Sequence, residues 1–343
     1  MSDQTKPLVT FAVPCYNSAS FMTRAVDSLL AAHKPCEILL INDGSSDDTS
    51  KIAHSYAERY PQVRAIDQDN ANWGGAVNHA LELAQGSYFK VVDSDDYMEP
   101  MALHRVLDAL AQAVEAGDAP DLLITNYVYD HLTRKYQRTL SYEALFPQGR
   151  IFAWDEMRRG PIDIYIMIHA CWYATDILRA SGVKLPTGVP YTDSLLLLHP
   201  MPMVQKLMYL SANPYWYAIG REGQSVGVDV MQRQIDKQIS IAKLAIDDTD
   251  YAELYAREPK CATLMTGYMI CMMAMTMLSL FTIGTPEAIQ KNEDLWAHAK
   301  EHNPELYQRL CRSWVGVANR KTALGRALMV RCFAIGKKYF TLE

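Results

Sequence analysis

The chain has 343 residues, 49% of them hydrophobic and 21% charged, and its formal net charge is -6. That length and apolar content support one large domain plus a smaller one, and the acidic balance excludes a global basic field that would recruit nucleic acid. The seven cysteines (Cys15, Cys36, Cys171, Cys261, Cys271, Cys311, Cys332) form no CxxC pair and no metal-ligand spacing, which fits reduced thiols better than a disulfide framework. Met1 to Lys6 are polar and lead straight into an apolar run, so no signal peptide is expected and the catalytic part should face the cytoplasm.

Leu8 to Val13 is a short apolar run closed by Pro14, the pattern of a buried strand ending at a loop. Ser18 or Ser20 can cap the next helix, whose Phe21, Ala25, Leu29 and Leu30 share one face. A second strand, Glu37 to Asn42, ends in Asp43-Gly44-Ser45-Ser46-Asp47-Asp48-Thr49, and a helix follows through Ile52, Ala53 and Tyr56. Val63 to Ile66 is a third, weaker strand. Gly74-Gly75 opens a helix from Ala76 to Ala84 that Gly86 stops. Strands alternating with helices at this spacing predict a doubly wound, mostly parallel α/β sheet, in which ligands sit at the carboxyl ends of the strands.

The fourth strand, Tyr88 to Val92, runs into Asp93-Ser94-Asp95-Asp96. Three carboxylates this close repel one another unless something positive sits among them. A hard divalent cation with oxygen ligands, itself holding phosphates, is the natural partner; a turn followed by a helix N-cap uses the same residue types. Pro14 to Asn17, Asp43 to Ser46, Asn72 to Gly75 and Asp93 to Asp96 all fall at one edge of the expected sheet. Neither GxGxxG after the first strand nor GxxxxGK[ST] occurs, so no dinucleotide fingerprint or P-loop is supported.

Beyond Pro100 the pattern predicts a helix from Met101 to about Ala116, a strand from Asp121 to Asn126, and an extended hairpin with loops over 127 to 165. Ile166 to Tyr173 reads as a strand and Thr175 to Ala180 as a short helix. Tyr191-Thr192-Asp193 leads into a helix through Leu198, and Tyr209 to Ile219 is the last strand. From about Val230 the texture is helical, which divides the chain into a catalytic domain, 1–228, and a C-terminal helical domain, 229–343. Cys261 to Pro286 contains no charged residue and is long enough to span a bilayer, but its threonines and glycines favour a buried helix. Arg312 to Lys338 is rich in Arg and Lys interleaved with apolar residues, the composition either of a solvated helix face or of a helix at an anionic membrane surface.

In their order and spacing, Val13-Pro14-Cys15-Tyr16-Asn17, Ile41 to Thr49, Asn72 to Asn78 and Asp93-Ser94-Asp95-Asp96 resemble the family 2 glycosyltransferases of the A-type fold, Rossmann-like in architecture. The resemblance covers residues 8 to 100, is looser over 160 to 225, and carries no general motif beyond about 230. It implies transfer of a sugar from a nucleotide-diphosphate donor, in the first place a UDP-sugar, to a hydroxyl of a glycan or lipid-linked acceptor in polysaccharide or glycolipid assembly. Such an enzyme is an inverting, metal-dependent hexosyl- or N-acetylhexosaminyltransferase. Carried over to this sequence, Tyr16 lies against the base with Pro14 shaping that wall, and Asp43 accepts from the uracil N–H. Asp93 lies near the ribose and the metal, Asp95 ligates Mn2+ or Mg2+, and Asn17, Gly75 and Ser94 join the donor site. Asp96 is then a cap or a supporting partner.

The catalytic base of the family is an acid at a helix start after the DxD region, which is Asp193 here. Two departures stand out: Thr192 replaces the first acid of the usual pair, and Val77 replaces an Arg common before the asparagine matching Asn78. His169, central in an apolar run, is a core histidine or a contact to acceptor or metal, and His199 is a weaker candidate. Arg221, with Gly223, Gln224 and Ser225, could close over the diphosphate or form a linker. A sugar nucleotidyltransferase and a non-catalytic nucleotide-sugar-binding module are the competing classes. The first lacks its basic Gly-rich loop after strand one; the second needs no base.

Overall fold

The computed structural model of the protein describes residues 6–31, 35–132, 136–160, 165–220 and 232–319. The chain divides into two compact units, 1–159 with 167–219, and 160–166 with 220–343.

The first unit opens with β1 (Val9–Cys15), α1 (Met22–Leu30), β2 (Cys36–Asp43), α2 (Thr49–Arg59), β3 (Val63–Gln68), α3 (Asn72–Leu83) and β4 (Tyr88–Val91). β1 is parallel to both β2 and β4, and β2 is parallel to β3. All eight residues of β2 are buried, as are six of the seven in β1, which is why the centres of these strands, Phe11 to Val13 and Ile38 to Ile41, are continuously apolar rather than alternating. The chain moves outward from β1 to β2 to β3 and then returns to the other side of β1 at β4. That reversal is the topological switch point, and it opens a crevice at the carboxyl ends of β1 and β4.

The sheet continues with β5 (Tyr97–Met98), β6 (Leu122–His131), β7 (Tyr136–Leu140), β8 (Ile151–Phe152), β9 (Cys171–Ala174) and β10 (Leu207–Ile219), in the order β3-β2-β1-β4-β9-β6-β10-β5. β9 is antiparallel to both β4 and β6, whereas β10 is parallel to β6. The expected hairpin after 127 is the antiparallel pair β6–β7. Helices α4 (Pro100–Glu115), α5 (Thr175–Ser181) and α6 (Asp193–Leu198) complete this unit. The cap of α4 is Glu99, whose carboxylate accepts from the Met101 and Ala102 amides, so Asp96 is free for another role.

One expected strand is shorter than its pattern. Ile168–Ala170 is a 3-10 turn and β9 begins only at Cys171. The carbonyls of Ile168, His169 and Cys171 all turn toward the Lys90 ammonium instead of a neighbouring strand.

In the second unit, α7 (Ile235–Asp247), α8 (Tyr251–Arg257), α9 (Pro259–Ile283), α10 (Pro286–His302), α11 (Pro304–Arg312) and α12 (Trp314–Ala318) follow. Proline opens three of them, and Gly284, at φ +70°, closes α9 in the left-handed conformation a side chain would resist. α9 is long and apolar enough to cross a membrane, yet 78% of its most apolar window is buried inside the protein. The basic stretch after Ala318 lies almost wholly outside the described residues.

Gly86 shows how tightly β1 and β4 are held. A Cβ there would stand 2.3 Å from the Thr10 nitrogen and 2.6 Å from the Val9 carbonyl carbon, both main-chain atoms that cannot swing away. Gly86→Ala should therefore lower the urea midpoint by the equivalent of about 1–3 kcal/mol without changing the slope of the transition. An unchanged midpoint would show that the strands separate more easily than this contact implies.

Candidate active site

Four loops meet at the switch point, and hydrogen bonds tie them to one another. After β1, Asn17 takes a left-handed conformation (φ +48°), and its carboxamide oxygen accepts from the Ser46 amide at 2.9 Å. Its own amide donates to Ser45 Oγ, so Asn17 locks the β1 loop to the β2 loop. Pro14 is half-buried at the strand end, and Tyr16 presents a ring 56% exposed at the mouth of the crevice. Ser94 is buried with its hydroxyl 2.8 Å from that of Ser18, a side chain turned inward to join the β1 and β4 loops.

Asp43 ends β2, 3% exposed. Its Oδ1 accepts from Gln68 Nε2 at 2.7 Å and from the Ala71 amide at 2.8 Å, while its carbonyl accepts from Asn70 Nδ2. Both contacts to Oδ1 orient the carboxylate and leave Oδ2 for a further donor. Gly44 (φ +70°) permits the close approach, since a Cβ there would meet the Asn70 nitrogen at 2.9 Å.

The acidic turn is the electrostatic centre. Asp93 is partly exposed; its Oδ1 accepts from Trp73 Nε1 at 2.7 Å, and burial, then the Asp95 charge, push its carboxyl up to about 7. Asp96 is fully buried. Its Oδ2 accepts from the Tyr215 hydroxyl at 2.5 Å and its Oδ1 from the Ala218 amide at 2.9 Å, which pins the turn to β10. Burial and the two neighbouring acids hold its carboxyl well above the usual range. The Tyr215 hydroxyl also accepts from the Asp93 amide, and Asp95 presents its carbonyl to Arg24 Nη2 at 2.9 Å.

Behind this turn lies Lys90, 1% exposed in β4. Its three ammonium protons match three carbonyl acceptors, Ile168 at 3.1 Å, His169 at 2.5 Å and Cys171 at 3.1 Å. Burial pulls its pKa down to about 7, opposed by Cys171 and by the charges of Asp93 and Asp96. His169 stacks on Tyr215 and lies tilted against Tyr217, each with ring centroids 4.7 Å away, and burial drives its pKa down to about 3, so the ring is neutral. His199 sits at the end of α6, with Nε2 2.8 Å from the Ser181 carbonyl.

Asp193 is the first residue of α6, half-buried, with burial raising its carboxyl above the ordinary range. Its charge lies near enough to Asp93 to raise that group too. The loop before it is held on α3: Asn78 Nδ2 donates to the Leu185 carbonyl and its Oδ1 accepts from the Leu185 amide. At Gly74, a Cβ would stand 2.8 Å from the Pro186 oxygen and 2.9 Å from Thr192 Oγ1, so glycine is what lets α3 touch this loop. Gly75 is buried beside it, packed on Ala71 and Thr187. Tyr191, just before Thr192 and Asp193, has φ +66°, strain of the kind that proteins hold in place at working sites. Arg221 lies outside the described residues.

A cation has a suitable donor set here. Asp93, Asp96 and His169 bring ligand atoms within 4.8 Å of one another, but both Asp96 oxygens already take protein donors and His169 is stacked. Asp93 offers a hard carboxylate oxygen here, and the Asp95 charge beside it is a repulsion that a divalent ion would relieve. Trp73, Tyr215 and Lys90 were not singled out from the sequence. Lys90 carried the one available signal, a lone cation inside an otherwise apolar strand.

A sheet with this reversal and an acid-rich turn at its switch point defines an A-type glycosyltransferase fold. Residues 10–174 match the family model described as glycosyl transferase family 2. An uncharacterized glycosyltransferase of Mycoplasma pneumoniae, the MG025 homolog, is 38% identical over 228 residues, 65% of this chain and 71% of that protein. Escherichia coli chondroitin synthase is 39% identical over 103 residues, 30% of this chain but only 15% of the synthase. Staphylococcus aureus TarS 1–349 superposes with a TM-score of 0.62 at 17% identity, covering 96% of this chain and 91% of TarS, and it has also been solved in complex with UDP-GlcNAc. At that identity the likeness shows the fold. The chain belongs to glycosyl transferase family 2 and is a glycosyltransferase.

Lys90→Met keeps the length of the side chain but strips three buried carbonyls of their donor and leaves Asp93 and Asp96 without a near cation. It should destabilise the protein by about 3 kcal/mol in urea unfolding. A loss within experimental error would mean that water or a rearranged turn replaces the ammonium.

Proposed function

We propose that this enzyme moves a sugar, with inversion, from a nucleotide-diphosphate donor to a hydroxyl of a glycan or lipid-linked acceptor, and that the donor is a UDP-sugar. The convergence of Asp43, Asp93 with Asp95, and Asp193 on one crevice carries this reading. Asp43, with Oδ2 unspent, is placed to receive an imide N–H of a base lying on the Tyr16 ring, with Pro14 as the wall beside it. TarS, the neighbour of like fold, has been solved with UDP-GlcNAc, and chondroitin synthase is 39% identical over 103 residues; both support a nucleotide sugar and a glycan product.

Asp93 and Asp95 would hold the divalent cation, Mn2+ or Mg2+. Bound there, the ion would neutralise the diphosphate charge that grows as the glycosidic bond breaks. The chain's own residues do the rest. Trp73 and the Tyr215–Asp96 pair fix the acidic turn, and Asn17 and Asn78 hold the two loops at its sides. Asp193 accepts the acceptor's hydroxyl proton as the oxygen attacks the anomeric carbon. The bond from that carbon to the diphosphate oxygen breaks and the nucleoside diphosphate leaves with the electron pair. One base on the face opposite the leaving group gives a single displacement and hence inversion.

A peripheral position at an anionic membrane, next to a lipid-linked acceptor, is supported by the basic, apolar-interleaved composition of residues 312 to 338. Full-length protein should co-sediment with anionic vesicles and a chain ending at 319 should not; equal recovery of both in the supernatant would remove this part of the reading.

Asp193 provides the main test. A base must be deprotonated to work, and burial raises the Asp193 pKa. Transfer should therefore be present above that raised pKa and lost as pH falls through it, at a pH above the range of an exposed aspartate near 3.9. Asp193→Asn should lower kcat by roughly 10²–10⁴-fold while nucleotide sugar with Mn2+ still raises the melting temperature. Unaltered turnover in the variant would show that the base is another residue. Donor binding by the native chain with no turnover on any acceptor would favour the binding module.

A further inference from the structure

The second unit carries a cluster that lies outside the site described above. Asp247 is the last residue of α7, and His298 and His302 lie one turn apart at the end of α10. His298 Nε2 is 2.8 Å and His302 Nδ1 3.2 Å from the same oxygen, Asp247 Oδ1. The two imidazoles are nearly parallel, 17° apart with centroids at 4.0 Å. One ligand atom from each of the three residues falls within 4.8 Å of the others.

We propose that Asp247, His298 and His302 form a second metal site, selective for a transition-type divalent ion such as Zn2+, that clamps the end of α7 to the end of α10. Around an ion with bonds of about 2.0–2.2 Å, tetrahedral donor atoms stand about 3.3–3.6 Å apart, a spacing that donor atoms already gathered within 4.8 Å reach by small side-chain shifts. Two imidazoles with one carboxylate form a borderline-soft set, suited to Zn2+, Ni2+ or Co2+ and poorly suited to the all-oxygen preference of Mg2+.

The site is also prebuilt. Asn303, the residue after His302, donates from Nδ2 to the Ile246 carbonyl at 2.9 Å and the Thr249 carbonyl at 2.7 Å, on either side of Asp247. The helix ends are therefore held in place before any ion arrives. His302 and Asp247 are about two-fifths exposed, so an ion can enter and water can fill its remaining positions.

The test is Zn2+ titration of the full-length chain by calorimetry with saturating Mn2+ present, beside His298→Ala and His302→Ala, each checked for native circular dichroism. The native chain should bind one more equivalent of Zn2+ than either variant, and only its melting temperature should rise with that equivalent. Equal stoichiometry and an equal melting response in all three proteins would overturn the site, leaving an ion-paired helix clamp. Should a variant fail to fold, substoichiometric Ni2+ is added to the native chain while the histidine ring resonances are followed. Broadening confined at first to two of the nine histidines supports the proposal, and even broadening across all nine overturns it.

Discussion

The active corner depends on one buried ammonium. Lys90 enters the sheet in a strand that is otherwise apolar, and its charge would be prohibitive there if its protons were unspent. They are spent on three carbonyls, and those carbonyls come from the stretch whose sequence pattern promised a continuous strand. Satisfying Lys90 therefore bends residues 168–170 into a turn, and that turn brings His169 under Tyr215 and Tyr217. Tyr215 in turn donates to Asp96 and accepts from the Asp93 amide. The position of the acidic turn follows from how one cation is neutralised and hydrogen-bonded.

A second constraint is the crowding of loops at the switch point. Asn17, Asn72 and Tyr191 are the non-glycine residues with positive φ among those described, and all three border the crevice. Asparagine accepts the left-handed region readily; tyrosine does so against a steric penalty of about 1–2 kcal/mol. That penalty at Tyr191 is offset by the Asn78–Leu185 pair and by the Gly74 contact, which hold the loop on α3. The proposed base is thus carried by a strained residue whose neighbours leave it little choice.

Much of this was legible in the sequence, for physical reasons that also mark where legibility stops. The strand-helix alternation over residues 8 to 100 is dictated by period and by glycine, so the parallel half of the sheet and its four edge loops could be read directly. Asp43, Asp93 and Asp95 were visible because carboxylates clustered at strand ends need an explanation. Asp96 was read as a cap or a supporting partner; it is bonded to Tyr215 and Ala218, 119 and 122 residues away, separations that no local pattern encodes. Trp73 was hidden for the same reason, since its indole reaches Asp93 only after α3 packs. The antiparallel insertion of β9 between β4 and β6 leaves no trace in periodicity either, because buried parallel and antiparallel strands are alike apolar.

Val77, standing where many members of the family have an arginine, sharpens the charge argument. It is 1% exposed, so on this backbone position 77 faces the interior. Lys90 cannot take over a contact to a diphosphate, because all three of its protons are committed to carbonyls on the inner side of the sheet. Arg24 holds the Asp95 carbonyl and lies over the Tyr97 ring at 4.3 Å, which makes it a brace for the turn. With these described cations engaged, an ion at Asp93 and Asp95, as proposed above, would supply positive charge that Lys90 and Arg24 do not. Burial and the Asp95 charge disfavour the ionised form of Asp93, the Trp73 indole partly opposes them, and a divalent ion bound there, as proposed, would favour it further.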